Sequence, residues 1–143
     1  MKNSIGLIVN GPNVLLKKFN VDLMDILDAL KSLGRIVVGK VILNHNTPSR
    51  LVKVVIEYGL EPIIVNGRAD VAVAVEAMKI IYNPRINTLA LGVRDAHFLP
   101  LLLEAKKAGK KVIIIAPKKD LSQALQNTTD EIIKLSHPIL PNI

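Results

Sequence analysis

Leu89–Leu102, LALGVRDAHFLPLL, passes from strand to helix through a polar junction. The unbroken apolar run up to Val93 predicts a strand buried on both faces. Arg94, Asp95 and His97 form the junction. Phe98-Leu99-Pro100 then opens an apolar helix, with proline in the first turn, where its missing N–H costs nothing. In an alternating α/β chain, a carboxylate at the carboxyl end of a strand lies where such folds gather their ligands.

The same alternation extends in both directions. Strands are predicted over Ser4–Val9, Arg35–Leu43, Glu61–Val65, Asn87–Val93, Lys111–Ala116 and a short Glu131–Leu135. In Val21–Leu33, Leu23, Ile26, Leu27, Leu30 and Leu33 recur at helical spacing, with Asp22, Asp25, Asp28 and Lys31 opposite. Thr47-Pro48 predicts a capped start for a helix Thr47–Tyr58 that stops at Gly59. Further helices are predicted over Val71–Tyr82, Phe98–Ala108 and Leu121–Asn127, the last capped by Asp120. Apolar strands joined by helices predict a three-layer α/β/α domain with a doubly wound, mostly parallel sheet. That domain is expected over residues 1–136, with 137–143 as a proline-containing tail. If the first and fourth strands are neighbours at the switch point, Asn10 and Asp95 face each other over the crevice.

The 143 residues are half hydrophobic, enough to bury a core without staples, and only Phe19, Phe98, Tyr58 and Tyr82 are aromatic. Cysteine is absent, which excludes disulfides and thiolate metal sites. The apolar run Ile5–Val9 is too short for a leader or a span, so a soluble cytoplasmic protein is expected. A net charge of +7 favours a polyanionic partner, nucleic acid first.

No dinucleotide fingerprint, phosphate-binding P-loop or nucleophile elbow is present. His45, His97 and His137 are too scattered for a histidine zinc site. The polar candidates that remain are Asn10, Asn13, Asp70, Glu76, Asp95 and His97. Each also has a structural reading. Asn10-Gly11-Pro12-Asn13 is good turn chemistry. Asp70 and Asp95 read as helix caps, and His97 as a first-turn residue facing solvent. Glu76 lies about 600° around the helix from Asp70 and does not share its face.

Four blocks in order, IGLIVNGPNVL, NGRADVAVAVEAMKIIYNP, LGVRDAHFLPLLLEAKKAGKKVIIIAP and LSQALQNTTDEIIKL, resemble the NYN-domain proteins. These form a branch of the PIN-like ribonuclease superfamily, and the resemblance is closest to its small stand-alone archaeal members. It implies a PIN-like fold, RNA as partner, and acids that hold Mg²⁺ or Mn²⁺ for phosphodiester hydrolysis. The family's first acid falls on Asn10, its second on Asp70, and its D-x-D pair on Asp95 and His97. Asn13 and Phe98 match the pattern, whereas Asn10 and His97 depart from it.

Asn10 keeps a carbonyl oxygen but loses a charge. His97 loses another and offers an imidazole nitrogen, which suits Mn²⁺ or Zn²⁺ better than Mg²⁺. The site drops from about four negative charges to about two. Two carboxylates still anchor one cation. The chain therefore reads as a ribonuclease with an altered site in which Asp70, Asp95 and Asn10 act and His97 is a further ligand. Its alternative is a catalytically inactive RNA-binding or scaffold member of the same fold. Lys17, Lys18, Arg68 and Arg94 flank the site and are expected, with Asn13, to hold RNA. Lys106-Lys107, Lys110-Lys111 and Lys118-Lys119 read as solvated ends of elements. With so few aromatics, backbone recognition is expected over base stacking. A homodimer is left open.

Overall fold

A computed structural model describes residues 3–15 and 22–135. Lys17, Lys18 and the tail 137–143 lie outside them, as does the side chain of Asn13. Six strands form one sheet: β1 Asn3–Asn10, β2 Gly34–Asn44, β3 Glu61–Val65, β4 Thr88–Gly92, β5 Lys111–Pro117 and β6 Glu131–Leu135. Their order is β3-β2-β1-β4-β5-β6, and all neighbouring pairs are parallel. The chain runs outward from β1 to β3, then returns to β4 on the other side of β1. This reversal is the switch point, and β1 and β4 are neighbours there as the sequence suggests.

Helices α1 Gly11–Val14, α2 Leu23–Lys31 and α3 Ser49–Glu57 cover one face; α4 Asp70–Ile81, α5 Leu99–Lys107 and α6 Gln123–Thr128 cover the other. The two-residue period of the strands feeds both layers. Ile5, Leu7 and Val9 join Leu23, Ile26, Leu30 and Val55 on the first face. Ile8, Leu89, Leu91 and Ile114 join Val73, Ala77, Ile80 and Leu102 on the second. The β1–β2 register shifts between Ile5 and Gly6, so β2 carries an extra residue against β1, and Val37 beside the shift is exposed.

Helix starts correct several expectations. Asp22 does cap α2, closing a capping box with Asp25. Thr47 does not cap α3: extended Pro48 precedes Ser49, and the Thr47 hydroxyl bonds Asn44 Oδ1 instead. Asp120 does not cap α6 either. Its backbone turns into positive φ (63°), and the cap passes to Ser122, whose Oγ accepts from Leu125 N. Asn10–Asn13 is no simple turn, since Gly11–Val14 forms one helical turn with Pro12 in its start. Phe98–Ala108 begins as a 3-10 turn, Ala96–Phe98, before α5.

Candidate functional site

Strand alternation decides where Asn10 points. It follows Ile8 by two residues, and so faces the α4 side of the sheet. Its position against β2 is held by close approach. A Cβ on Gly11 would lie 2.4 Å from the Ile42 carbonyl oxygen and 2.8 Å from Leu43 Cδ2, so no larger residue fits there without moving the chain. Asn10 is 3% exposed, and its Oδ1 has no hydrogen-bond partner among the described residues. Leaving a buried acceptor unmatched costs about 1–3 kcal/mol.

Asn10 lines a small cleft of about 180 Å³ with Pro12, Asn44, Gly67, Arg68, Ala69 and Asp70. Gly67 takes positive φ (92°), turning the chain between β3 and α4 so that Arg68 and Asp70 reach the rim. Asp70 is not the cap of α4. Ala69 occupies that position and makes no side-chain cap, while Asp70 is the first helical residue. Its carboxylate is thereby left for other partners. Arg68 donates to Asp70 Oδ2 at 2.7 Å, and His97 Nε2 lies 3.3 Å from the same oxygen.

His97 also lies 4.0 Å from Asp95 Oδ2, so a single imidazole stands between the two carboxylates. Its side chain is exposed over half its surface, as a first-turn residue facing solvent would be, and its ring tilts over Phe98 with centroids 4.6 Å apart. Asp95 precedes the 3-10 turn without capping it, and Arg94 Nη1 approaches its Oδ1 at 3.6 Å. Asp70 is thus the hub, opening on one side to the Asn10 cleft and on the other to His97 and Asp95. Among the described residues, no three Asp, Glu or His side chains are arranged to hold a metal ion together.

The two arginines hold differently. The Arg68 side chain is 82% exposed, and an exposed ion pair contributes about 0–1 kcal/mol, so Asp70 is not locked by it. Arg94 is largely covered, which sets it more firmly beside Asp95. Glu76, by contrast, belongs elsewhere. Burial works to raise its carboxyl, but hydrogen bonds and charge from Lys40 (2.5 Å) and Lys79 (3.0 Å) outweigh burial and hold it below its ordinary value. This makes Glu76 a buried anchor between α4 and β2, outside the Asp70 cluster, and removes it from the candidate site residues.

Comparison with known proteins bears on the fold and the family. No helix among the described residues is long and apolar enough to cross a membrane. The fold is similar to that of a Vibrio parahaemolyticus protein of unknown function, VPA0982, with a TM-score of 0.82 over 94% of each chain at 19% identity. In sequence the chain is similar to the uncharacterized protein MJ0482 of the archaeon Methanocaldococcus jannaschii, 45% identical over 134 residues. That alignment covers 94% of this chain but 56% of the relative, so the chain spans little more than half of the relative's length. The NYN domain model matches residues 4–136, which takes in the six strands except for Asn3 and every residue of the Asp70 cluster. With the doubly wound sheet and the paired aspartates at its carboxyl edge, the match shows that the chain belongs to the NYN domain family.

Proposed function

We propose that this protein binds RNA along the carboxyl rim of its sheet and hydrolyses its phosphodiester bonds with one divalent cation, Mg²⁺ or Mn²⁺. The observation that carries this reading is the unpartnered Asn10 Oδ1, buried beside the Asp70 carboxylate. Hard cations of this kind need one or two carboxylates, with water and substrate phosphate completing the shell. Asp70 and the Asn10 carbonyl share one cleft and offer donors for one ion there, with Asp95 across His97 as the further carboxylate; these are too few for two ions. His97 either yields to the ion or joins it as a nitrogen donor.

When bound, the cation supplies charge neutralisation at the phosphate and an activated water. The side chains supply position. Asp70 and Asp95 fix the reacting end, Arg94 orients the phosphate beside it, and weakly held Arg68 swings from Asp70 to a neighbouring phosphate. Asn13, Lys17 and Lys18, indicated by the sequence alone, are further candidate RNA contacts. The sheet contributes a floor that does not move.

A second reading, an RNA-binding member without catalysis, is favoured by a separate observation. Each carboxylate already has a guanidinium near it, and both face one imidazole. Labelled single-stranded RNA incubated with MgCl₂, MnCl₂ or EDTA separates the two. Cation-dependent cleavage that is lost in Asp70→Asn and Asp95→Asn supports hydrolysis. Salt-sensitive binding with no cleavage in any buffer supports the second reading. Absence of both binding and cleavage refutes the proposal altogether.

A further inference from the structure

Building on that RNA-binding reading, we propose that the loop after β5 is a second phosphate-holding element. RNA leaving the cleft crosses the ends of β4 and β5 and is gripped by Lys118 and Lys119. The topology puts the loop in place. Because β5 lies next to β4 and runs parallel to it, Lys118–Asp120 emerges on the same rim as Arg94 and Asp95, one strand spacing away, about 4.8 Å.

The loop is tied down at both ends. Lys118 N donates to Leu135 O at 3.2 Å, fastening its start to β6. Ser122 N donates to Arg94 O at 2.9 Å, fastening its far end to the residue beside Asp95. Between these ties the chain reverses at Asp120, with φ 63°. Lys118 and Lys119 are therefore exposed on a held backbone rather than on a loose tip.

Their charges are also uncommitted. Neither ammonium has an ion-pair partner among the described residues, whereas Lys40, Lys79 and Lys111 meet carboxylates. Lys106 and Lys110 donate to backbone carbonyls. Basic groups then stand at the ends of β3 (Arg68), β4 (Arg94) and β5 (Lys118, Lys119). These ends span roughly 19 Å of rim, with the two carboxylates in the middle. A polyanion crossing an acidic centre needs basic ground on both flanks, and this arrangement provides it. Recognition of this kind is blind to sequence, because it touches phosphates and not bases.

The test compares the dinucleotide UpU, whose single phosphate occupies the cleft alone, with oligouridylates of about twelve nucleotides. Affinities of the whole chain are measured by fluorescence anisotropy in EDTA. Each phosphate contact on a single strand contributes about 0.7 to the salt slope, so Lys118→Ala/Lys119→Ala should lower the slope for the long RNA by about 1.4. Between roughly 50 and 200 mM salt the double variant should then lose about sevenfold less affinity than the parent. The short RNA should bind both proteins alike. The matched control is Lys31→Ala/Lys107→Ala, which removes equal charge at the ends of α2 and α5 on the opposite rim; it should leave the slope unchanged. An unaffected long RNA, an equal loss on the short RNA, or an equal effect of the control overturns the proposal. If the parent binds neither RNA, the RNA reading of the cleft falls first and this inference falls with it.

Discussion

Asn10→Asp restores the carboxylate that the family places at the end of β1, and its consequence depends on whether a cation is present. The position is 3% exposed and shares its cleft with Asp70. Without a cation, the substitution exchanges an unmatched neutral acceptor for a buried charge close to a like charge. Such a charge costs several kcal/mol after relaxation, and about 3 kcal/mol is a reasonable figure for a site that opens on a cleft. For 143 residues the unfolding entropy is about 0.3 kcal/mol per kelvin, so the melting temperature should fall by about 10 °C in EDTA. MnCl₂ at about a hundred times its dissociation constant returns about 2.7 kcal/mol, most of that loss. Scanning calorimetry in EDTA and in MnCl₂, with titration calorimetry of Mn²⁺, provides the measurement. Wild type should gain less from Mn²⁺ than the variant does. A variant as stable as wild type in EDTA and indifferent to Mn²⁺ would refute the assignment of this cleft to a cation.

Other expectations follow from the same contacts. Adding His97→Asp to Asn10→Asp should raise Mn²⁺ affinity further and speed RNA cleavage; no gain in either argues against the inherited acidic site. Gly11→Ala forces a Cβ against the Ile42 carbonyl, so it should lose about 1–3 kcal/mol and weaken RNA binding as Asn10 shifts, read by urea melts and anisotropy. Glu76→Gln removes the carboxylate shared by Lys40 and Lys79 and should lose about 2 kcal/mol at neutral pH with RNA binding intact. The pH dependence has a definite sign. The folded Glu76 pKa is depressed, so its stabilisation is present above the unfolded carboxyl value and disappears as pH falls through the folded one. Wild type and Glu76→Gln should accordingly converge in stability on the acid side.

The fold was legible because apolar runs and helical periods do not compete with each other in this chain. β3 and β6 fall on the residues that periodicity indicates, and the adjacency of β1 and β4, only a condition of the crevice reading in the sequence, is met by the strand order. Helix starts were less legible. Thr47 and Asp120 are good cap residues by type, but the backbone at Pro48 and the reversal at Asp120 hand the role to neighbours. The site was readable as a set of positions and not as a set of contacts. Spacing brings Asp70 and Asp95 to one edge, yet nothing in it reveals that His97 stands between them. Nor does it reveal that Asn10 is almost wholly buried at the bottom of a cleft, beside a Gly11 that closes onto a strand some thirty residues away in the chain.

β1 has a partner on each side, pairing with β2 through Asn10 and with β4 through Val9. Asn10 therefore closes a central strand that is held on both sides up to Val9, one residue before it. Asp70 and Asp95 sit on a first helical turn and a junction, where local opening needs far less energy. The cleft thus joins one unyielding wall to two compliant ones. A guest of imperfect shape is met by adjustment at the aspartates rather than by retreat of the floor.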